Sequence, residues 1–219
     1  MRRRTKVLVL FWVAAVAAAF VALKGYESAP GLAALAPPVW PADISGVSPA
    51  AGSVCLVMSA HPRCPCTRAS FEQMKLLLDR AAAAGVPVSA FILFTVPNGP
   101  EREWMNSASW ELARKLPGVR VLADPQGRLS AKLGAMTSGG IVIYGPDREL
   151  RFEGGLTPSR SHAGECASLD AALLAVLNRP PRTGQQHVAS APVYGCPLVG
   201  CSEAAPSPIA RDPAGSEPR

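Results

Sequence analysis

Along the chain, apolar and polar positions fall into blocks of different period. Residues 7–23 form an unbroken apolar run behind Arg2, Arg3, Arg4 and Lys6, and Lys24 closes it. Such a run predicts one membrane-spanning helix, long for the apolar part of a cleaved signal. Residues 25–49 are rich in Ala, Pro and Gly without a period and read as a spacer. A short apolar run at 54–58 predicts a buried strand, followed by a turn carrying Cys64-Pro65-Cys66. A helical pattern then puts Phe71, Met74, Leu77 and Leu78 on one face.

Residues 87–94 are a second apolar, β-rich run, ended by Pro97-Asn98-Gly99-Pro100. Residues 101–116 carry Trp104, Ala108, Leu112 and Leu116 near helical spacing. A short strand at 119–123 ends at Asp124-Pro125, and a short helix at 126–133 is stopped by Gly134. Strands at 141–144 and 149–152 joined by Gly145-Pro146-Asp147-Arg148 make a hairpin. After a loop at 154–164, Leu169, Leu173 and Leu177 mark a last helix over 165–177. From Pro180 onward Pro, Ser, Ala and Gly predict a mostly disordered tail. The string β-α-β-α-β-α-β-β-α predicts an α/β fold of three layers, a mixed sheet with helices on both faces. The expected division is an anchor at 1–24, a spacer at 25–46, one domain at 47–178 and a tail with a cysteine pair at 179–219.

Composition refines this picture in two places. The 219 residues carry a net charge of +6, and Arg2, Arg3, Arg4 and Lys6 supply four of those charges. The basic balance is therefore a topology signal that keeps the N-terminus in the cytoplasm and exports the rest. With no Lys/Arg stripe interleaved with aromatics elsewhere, nucleic acid is not an expected partner. Ala34-Leu35-Ala36 has the form of a cleavage site, but Pro37 behind it is unfavourable, so the anchor is expected to stay. Six cysteines in an exported domain suit a compartment that permits disulfides.

A thiol is a weak nucleophile until its thiolate is stabilised, and a helix N-terminus offers free N–H groups and a positive dipole end. With Pro65 at the first helical position, Cys64 is the expected N-cap, exposed and nucleophilic, with Thr67 beside it. Cys66 is then the partly covered resolving thiol. The bland alternative is a pair of inert buried cysteines, and a zinc site lacks further ligands nearby. Cys55 reads as a core residue. Cys166 opens the last helix and is expected to stay away from the turn. Cys196 and Cys201 are possible resolving partners: they either form a small-loop disulfide, or Cys196 folds back on the turn.

The redox turn within this element order resembles the thioredoxin fold in its TlpA-like and peroxiredoxin-like elaboration, over residues 47–178. The blocks HPRCPCTRAS, GAMTSGGIVIYGPDRELRFEGGLTPSRSHAG and YGCPL resemble the RedB-like group of that superfamily. The resemblance implies a membrane-tethered thiol protein. Two departures stand out. One residue rather than two separates the cysteines, so a bond between them closes a tight ring. Thr137-Ser138-Gly139-Gly140 stands where thioredoxins place a cis-proline facing the cysteines, which leaves room for a cation. The fold also implies that the hairpin returns to the site, delivering Arg160 and His162; His61, before the turn, is a further candidate.

Two function classes follow. One is a thiol:disulfide oxidoreductase without a cofactor, in which Cys64 attacks a substrate disulfide and Cys66 releases the product. A competing alignment makes Cys66 resolve disulfides begun by another thiol. This class implies protein thiol or disulfide substrates and a redox donor. The other class, with a partial resemblance to Sco-type copper chaperones, holds Cu(I) by Cys64, Cys66 and His162. An assembly factor that uses the fold only as a binding surface is a third possibility.

Overall fold

The computed structural model describes residues 3–44, 46–96, 104–178 and 188–198. Helix α1 (Arg3–Ser28) precedes the folded part, and its apolar side chains are exposed. It is long and apolar enough to cross a membrane.

The sheet is built outward from β1 (Val54–Ala60), in which all seven residues are buried. It pairs in parallel with β2 (Val88–Val96), which pairs in parallel with β3 (Val119–Pro125). Helix α2 (Thr67–Ala83) connects β1 to β2, and α3 (Ala108–Arg114) lies between β2 and β3. After α4 (Arg128–Lys132), the hairpin strands β4 (Gly140–Tyr144) and β5 (Leu150–Gly154) add antiparallel on the other side of β1. Helix α5 (Ala167–Val176) follows, and β6 (Ala189–Ser190) pairs in parallel with β5. The strand order is β3-β2-β1-β4-β5-β6.

The period of two along β1 divides the core. Leu56, Met58 and Ala60 face one cluster with Phe71, Met74 and Leu77 of α2, Trp110 and Ala113 of α3, and Leu169, Ala172 and Val176 of α5. Cys55 and Val57 face the other, with Leu133, Tyr144, Ala36, Ile44 and Val47. The segment read as a spacer is therefore part of this second layer. The Tyr144 hydroxyl donates to the Pro37 carbonyl at 2.9 Å, the Ala36 N–H donates to Glu153 Oε2 at 2.8 Å, and Trp40 meets the Tyr144 ring edge-on. An extended Ala/Pro-rich stretch shows no periodicity, so its burial depends on partners far along the chain.

Other departures have local causes. The helix expected over 101–116 is interrupted: Trp104 and Met105 are helical, and after a turn the Ser107 hydroxyl accepts from the Trp110 N–H at 3.1 Å and caps α3 afresh. Residues 97–103 lie outside the described residues. The last helix begins after Cys166 rather than at Glu165. Residues 188–198, expected in a mostly disordered tail, are packed on the sheet edge, with Val193 and Leu198 buried.

Candidate active site

The cysteine turn begins where β1 ends. The Cys64 N–H donates to the His61 carbonyl at 3.1 Å, and the Thr67 N–H donates to the Cys64 carbonyl at 3.3 Å. Regular helix starts only at Thr67, with Cys66 as N-cap in αR geometry and no side-chain cap bond. The expectation that Cys64 caps α2 is thus corrected: Cys64 and Pro65 form a tighter turn ahead of the helix. Cys64 is also not the exposed thiol, being 2% accessible against 5% for Cys66.

What sits over the turn is the stretch before β4. Ser138 Oγ accepts from the His61 N–H at 2.9 Å and shares a hydrogen bond with Thr67 Oγ1 at 3.0 Å. A parallel β-α-β-α-β half, an antiparallel hairpin beside β1, and a cysteine turn between β1 and α2 facing the approach to β4 together decide the architecture. The chain has the thioredoxin fold. Ser138 occupies the place where a cis-proline was expected to be replaced, and its hydroxyl links the strand end to the first turn of α2.

Within this thioredoxin framework the site gathers three sulfurs. The Sγ atoms of Cys64, Cys66 and Cys196 all lie within 4.8 Å of one another. All five described cysteines are free thiols, and Cys201 lies outside the described residues. Burial pushes the Cys64 thiol up. Hydrogen bonds from the Thr67 hydroxyl, the Cys196 N–H and thiol, and the Ser138 hydroxyl outweigh it, so the net direction is down. The Cys196 thiol moves the opposite way, through burial first and then the neighbouring Cys64 sulfur. Of this pair, Cys64 is the more readily ionised and Cys196 the less. The Ser161 hydroxyl donates to Cys66 Sγ at 3.3 Å.

The other sequence candidates are placed as follows. Arg160 lies on the site side, yet its guanidinium bonds backbone: Nε to the Tyr26 carbonyl at 3.1 Å, Nη2 to the Ala29 carbonyl at 3.2 Å, and Nη1 to the Gly195 carbonyl. It ties the end of α1 to the segment that carries Cys196. His162 Nδ1 donates to the Arg160 carbonyl at 2.6 Å and lies 3.1 Å from Ser159 Oγ, and its ring is exposed. The potential ligand cluster contains Cys196 in place of His162. His61 Nδ1 accepts from the Arg63 N–H at 3.2 Å and its ring meets Trp104. Burial, then the Arg63 charge, lowers its pKa and favours the neutral ring. The Cys166 thiol donates to the Leu156 carbonyl at 3.2 Å, away from the cluster. Cys55 is wholly buried and its thiol is pushed up to about 12, as suits a core residue.

Sequence reasoning missed Ser138 and Ser161 as site residues. Ser138 lay inside the TSGG stretch already noted for its lack of proline, and Ser161 between the two residues singled out in its loop. A hydroxyl gives no pattern of its own, so only the fold could have nominated them.

No protein-family model matches the chain, and no curated protein does. Solved structures do. An uncharacterized conserved protein from Geobacillus kaustophilus is 18% identical with a TM-score of 0.51, over 81% of this chain and 96% of that one. A hypothetical protein from Sinorhizobium meliloti is 14% identical with a TM-score of 0.49, over 78% and 96%. An exposed lipoprotein thioredoxin, Etrx1, from Streptococcus pneumoniae is 16% identical with a TM-score of 0.43, over 67% and 98%. The first of these shares the fold.

Proposed function

We propose that the chain is a membrane-anchored thiol:disulfide oxidoreductase acting on proteins outside the cytoplasm. The observation that carries this reading is the gathering of three thiols, Cys64, Cys66 and Cys196, within 4.8 Å of one another at the turn before α2, where the surroundings favour ionisation of Cys64. A thiolate with a neighbouring thiol is the minimum equipment for exchange. Cys64 attacks one sulfur of a substrate disulfide and expels the other as a thiolate. A second thiol of the cluster then attacks the Cys64 sulfur and frees the product. A redox donor outside the cytoplasm returns the pair to dithiol. Pro65, Thr67 and Ser138 shape the turn, and Arg160 fastens the loop beside it.

Reduction of insulin disulfides by the reduced, detergent-solubilised chain tests this. Cys64→Ser is expected to fall to the uncatalysed rate, and retention of wild-type turnover by that variant would remove the reading.

A second reading is favoured by the same cluster. Three soft sulfurs with no carboxylate among them suit Cu(I), with Cys196 taking the place expected for His162. Copper would then be cargo. Titrating Cu(I) into reduced protein against a competing chelator separates the readings: stoichiometric retention that is lost in Cys196→Ser supports copper handling, and transfer of all metal to the chelator removes it.

A further inference from the structure

We propose that residues 193–198 are a built-in stand-in for a substrate strand: they fill the backbone edge offered by residues 136–138, and Cys196 is the thiol that resolves disulfides formed on Cys64. This rests on the oxidoreductase reading and adds to it the resolving residue and the way the site is covered.

The pairing is that of one strand added to another. The Ser138 N–H donates to the Cys196 carbonyl at 2.8 Å, the Leu198 N–H donates to the Met136 carbonyl at 2.9 Å, and Thr137 and Pro197 bridge antiparallel. These are backbone bonds that any extended chain can make, so the edge suits a partner strand of varied sequence. The fit of the resident segment is close. A Cβ built on Gly195 would stand 2.0 Å from the Ser138 carbonyl oxygen, and one on Gly154 would stand 2.3 Å from the Ala191 carbonyl oxygen. On the segment's other side, the Gly31 N–H donates to the Val193 carbonyl at 2.7 Å. Glycine at these positions lets the backbone approach where a side chain would hold it off. With the segment seated, Cys64 is only 2% accessible, so the segment swings out to admit a disulfide and swings back to bring Cys196 onto the bond formed at Cys64.

Cys196 is better placed than Cys66 to finish the exchange. The Cys196 sulfur lies within 4.8 Å of Cys64 Sγ on a separate segment, whereas the Cys66 sulfur accepts from Ser161 and a Cys64–Cys66 bond closes a tight ring. Once Cys64 is bonded to substrate sulfur, Cys196 gives up its proton to solvent and becomes the attacking thiolate. Cys196 attacks Cys64 Sγ, the bond to substrate breaks, and the substrate leaves as a thiolate. Two electrons pass from the Cys64/Cys196 pair to the substrate disulfide. An external dithiol must reduce the resulting Cys64–Cys196 disulfide.

The test uses the full chain in detergent with Cys201→Ser, so that the tail carries a single thiol. Reduced protein is oxidised with one equivalent of diamide, alkylated, digested without reductant and sequenced by mass spectrometry. The expected product links Cys64 to Cys196 with Cys66 alkylated; a Cys64–Cys66 bond with Cys196 alkylated overturns the inference. Gly195→Val, which cannot seat on Ser138, is expected to speed iodoacetamide alkylation of Cys64 by at least about tenfold; an unchanged rate overturns the cover. Because that variant could unfold, Cys196→Ser is assayed beside it for insulin reduction. Accumulation of a mixed disulfide on Cys64 is expected. Turnover equal to wild type in Cys196→Ser, with Cys64→Ser inactive, would discard the inference and leave the oxidoreductase intact.

Discussion

At the residue scale, Cys64 lies ahead of the helix end, among the hydroxyls of Thr67 and Ser138 and the Cys196 segment. Thr67 is completely buried; its hydroxyl shares a hydrogen bond with Ser138 Oγ and is a donor that favours the Cys64 thiolate. Thr67→Val keeps the shape and removes that donor. The Cys64 thiolate loses a hydrogen bond while burial continues to oppose ionisation, so the thiol's pKa rises. Alkylation of Cys64 should then reach its plateau at higher pH. A lost bond to a charged group is worth about 1.5–3 kcal/mol, so the rate near neutral pH should fall by roughly tenfold or more and converge on wild type only in alkali. An unchanged pH profile would mean that the Cys196 N–H and thiol suffice alone. The cysteine pair itself was legible, since two thiols flanking a proline between a strand and a helix form a local pattern. Its chemistry was less so: Thr67 lies next to the pair, but the other stabilising groups come from positions 138 and 196, which no local spacing connects to the turn.

At the element scale, what could be read tracks periodicity. β1 and β2 are continuous apolar runs, as expected for strands covered on both faces, and α2 declares itself through Phe71, Met74 and Leu77. The packed stretches around Ala36 and Val193 have no period and hold by backbone bonding to β5 and the residues before β4, so their sequence resembles linker. The short helix α4 shows how one polar residue can set an element. Asp124 is wholly buried; its carboxylate accepts from the Leu129 N–H at 2.8 Å, the Ser130 N–H at 2.9 Å and the Ser130 hydroxyl at 2.7 Å. Those bonds hold the first turn of α4 and so seat Leu133 in the second core. Asp124→Ala would strand the donors in the interior and should cost about 3 kcal/mol or more in chemical denaturation. A loss below about 1 kcal/mol would show that water satisfies them.

At the scale of the whole molecule, helix α1 and the site are tied together by contacts. Helix α1 has 26 residues, about 39 Å at 1.5 Å per residue, enough for a bilayer core of about 30 Å. Its C-terminal end is fastened to the site loop: the Arg160 N–H donates to the Glu27 carbonyl at 3.0 Å, and the Arg160 guanidinium stacks 4.8 Å from the Tyr26 ring centre. If α1 spans, the thiol cluster stands close to the membrane surface, and substrates approach from the side facing away from Arg2, Arg3 and Arg4. The orientation proposed from the positive-inside rule makes that side extracytoplasmic. Cys64 is too buried to report orientation by labelling. Lys115, exposed at the end of α3, is better suited. Lys115→Cys, compared with the parent chain in intact cells, should gain labelling by a membrane-impermeant maleimide before lysis. Gain of label only after lysis would place the domain in the cytoplasm, where the glutathione pool keeps thiols reduced, and would remove the extracytoplasmic part of the proposed function.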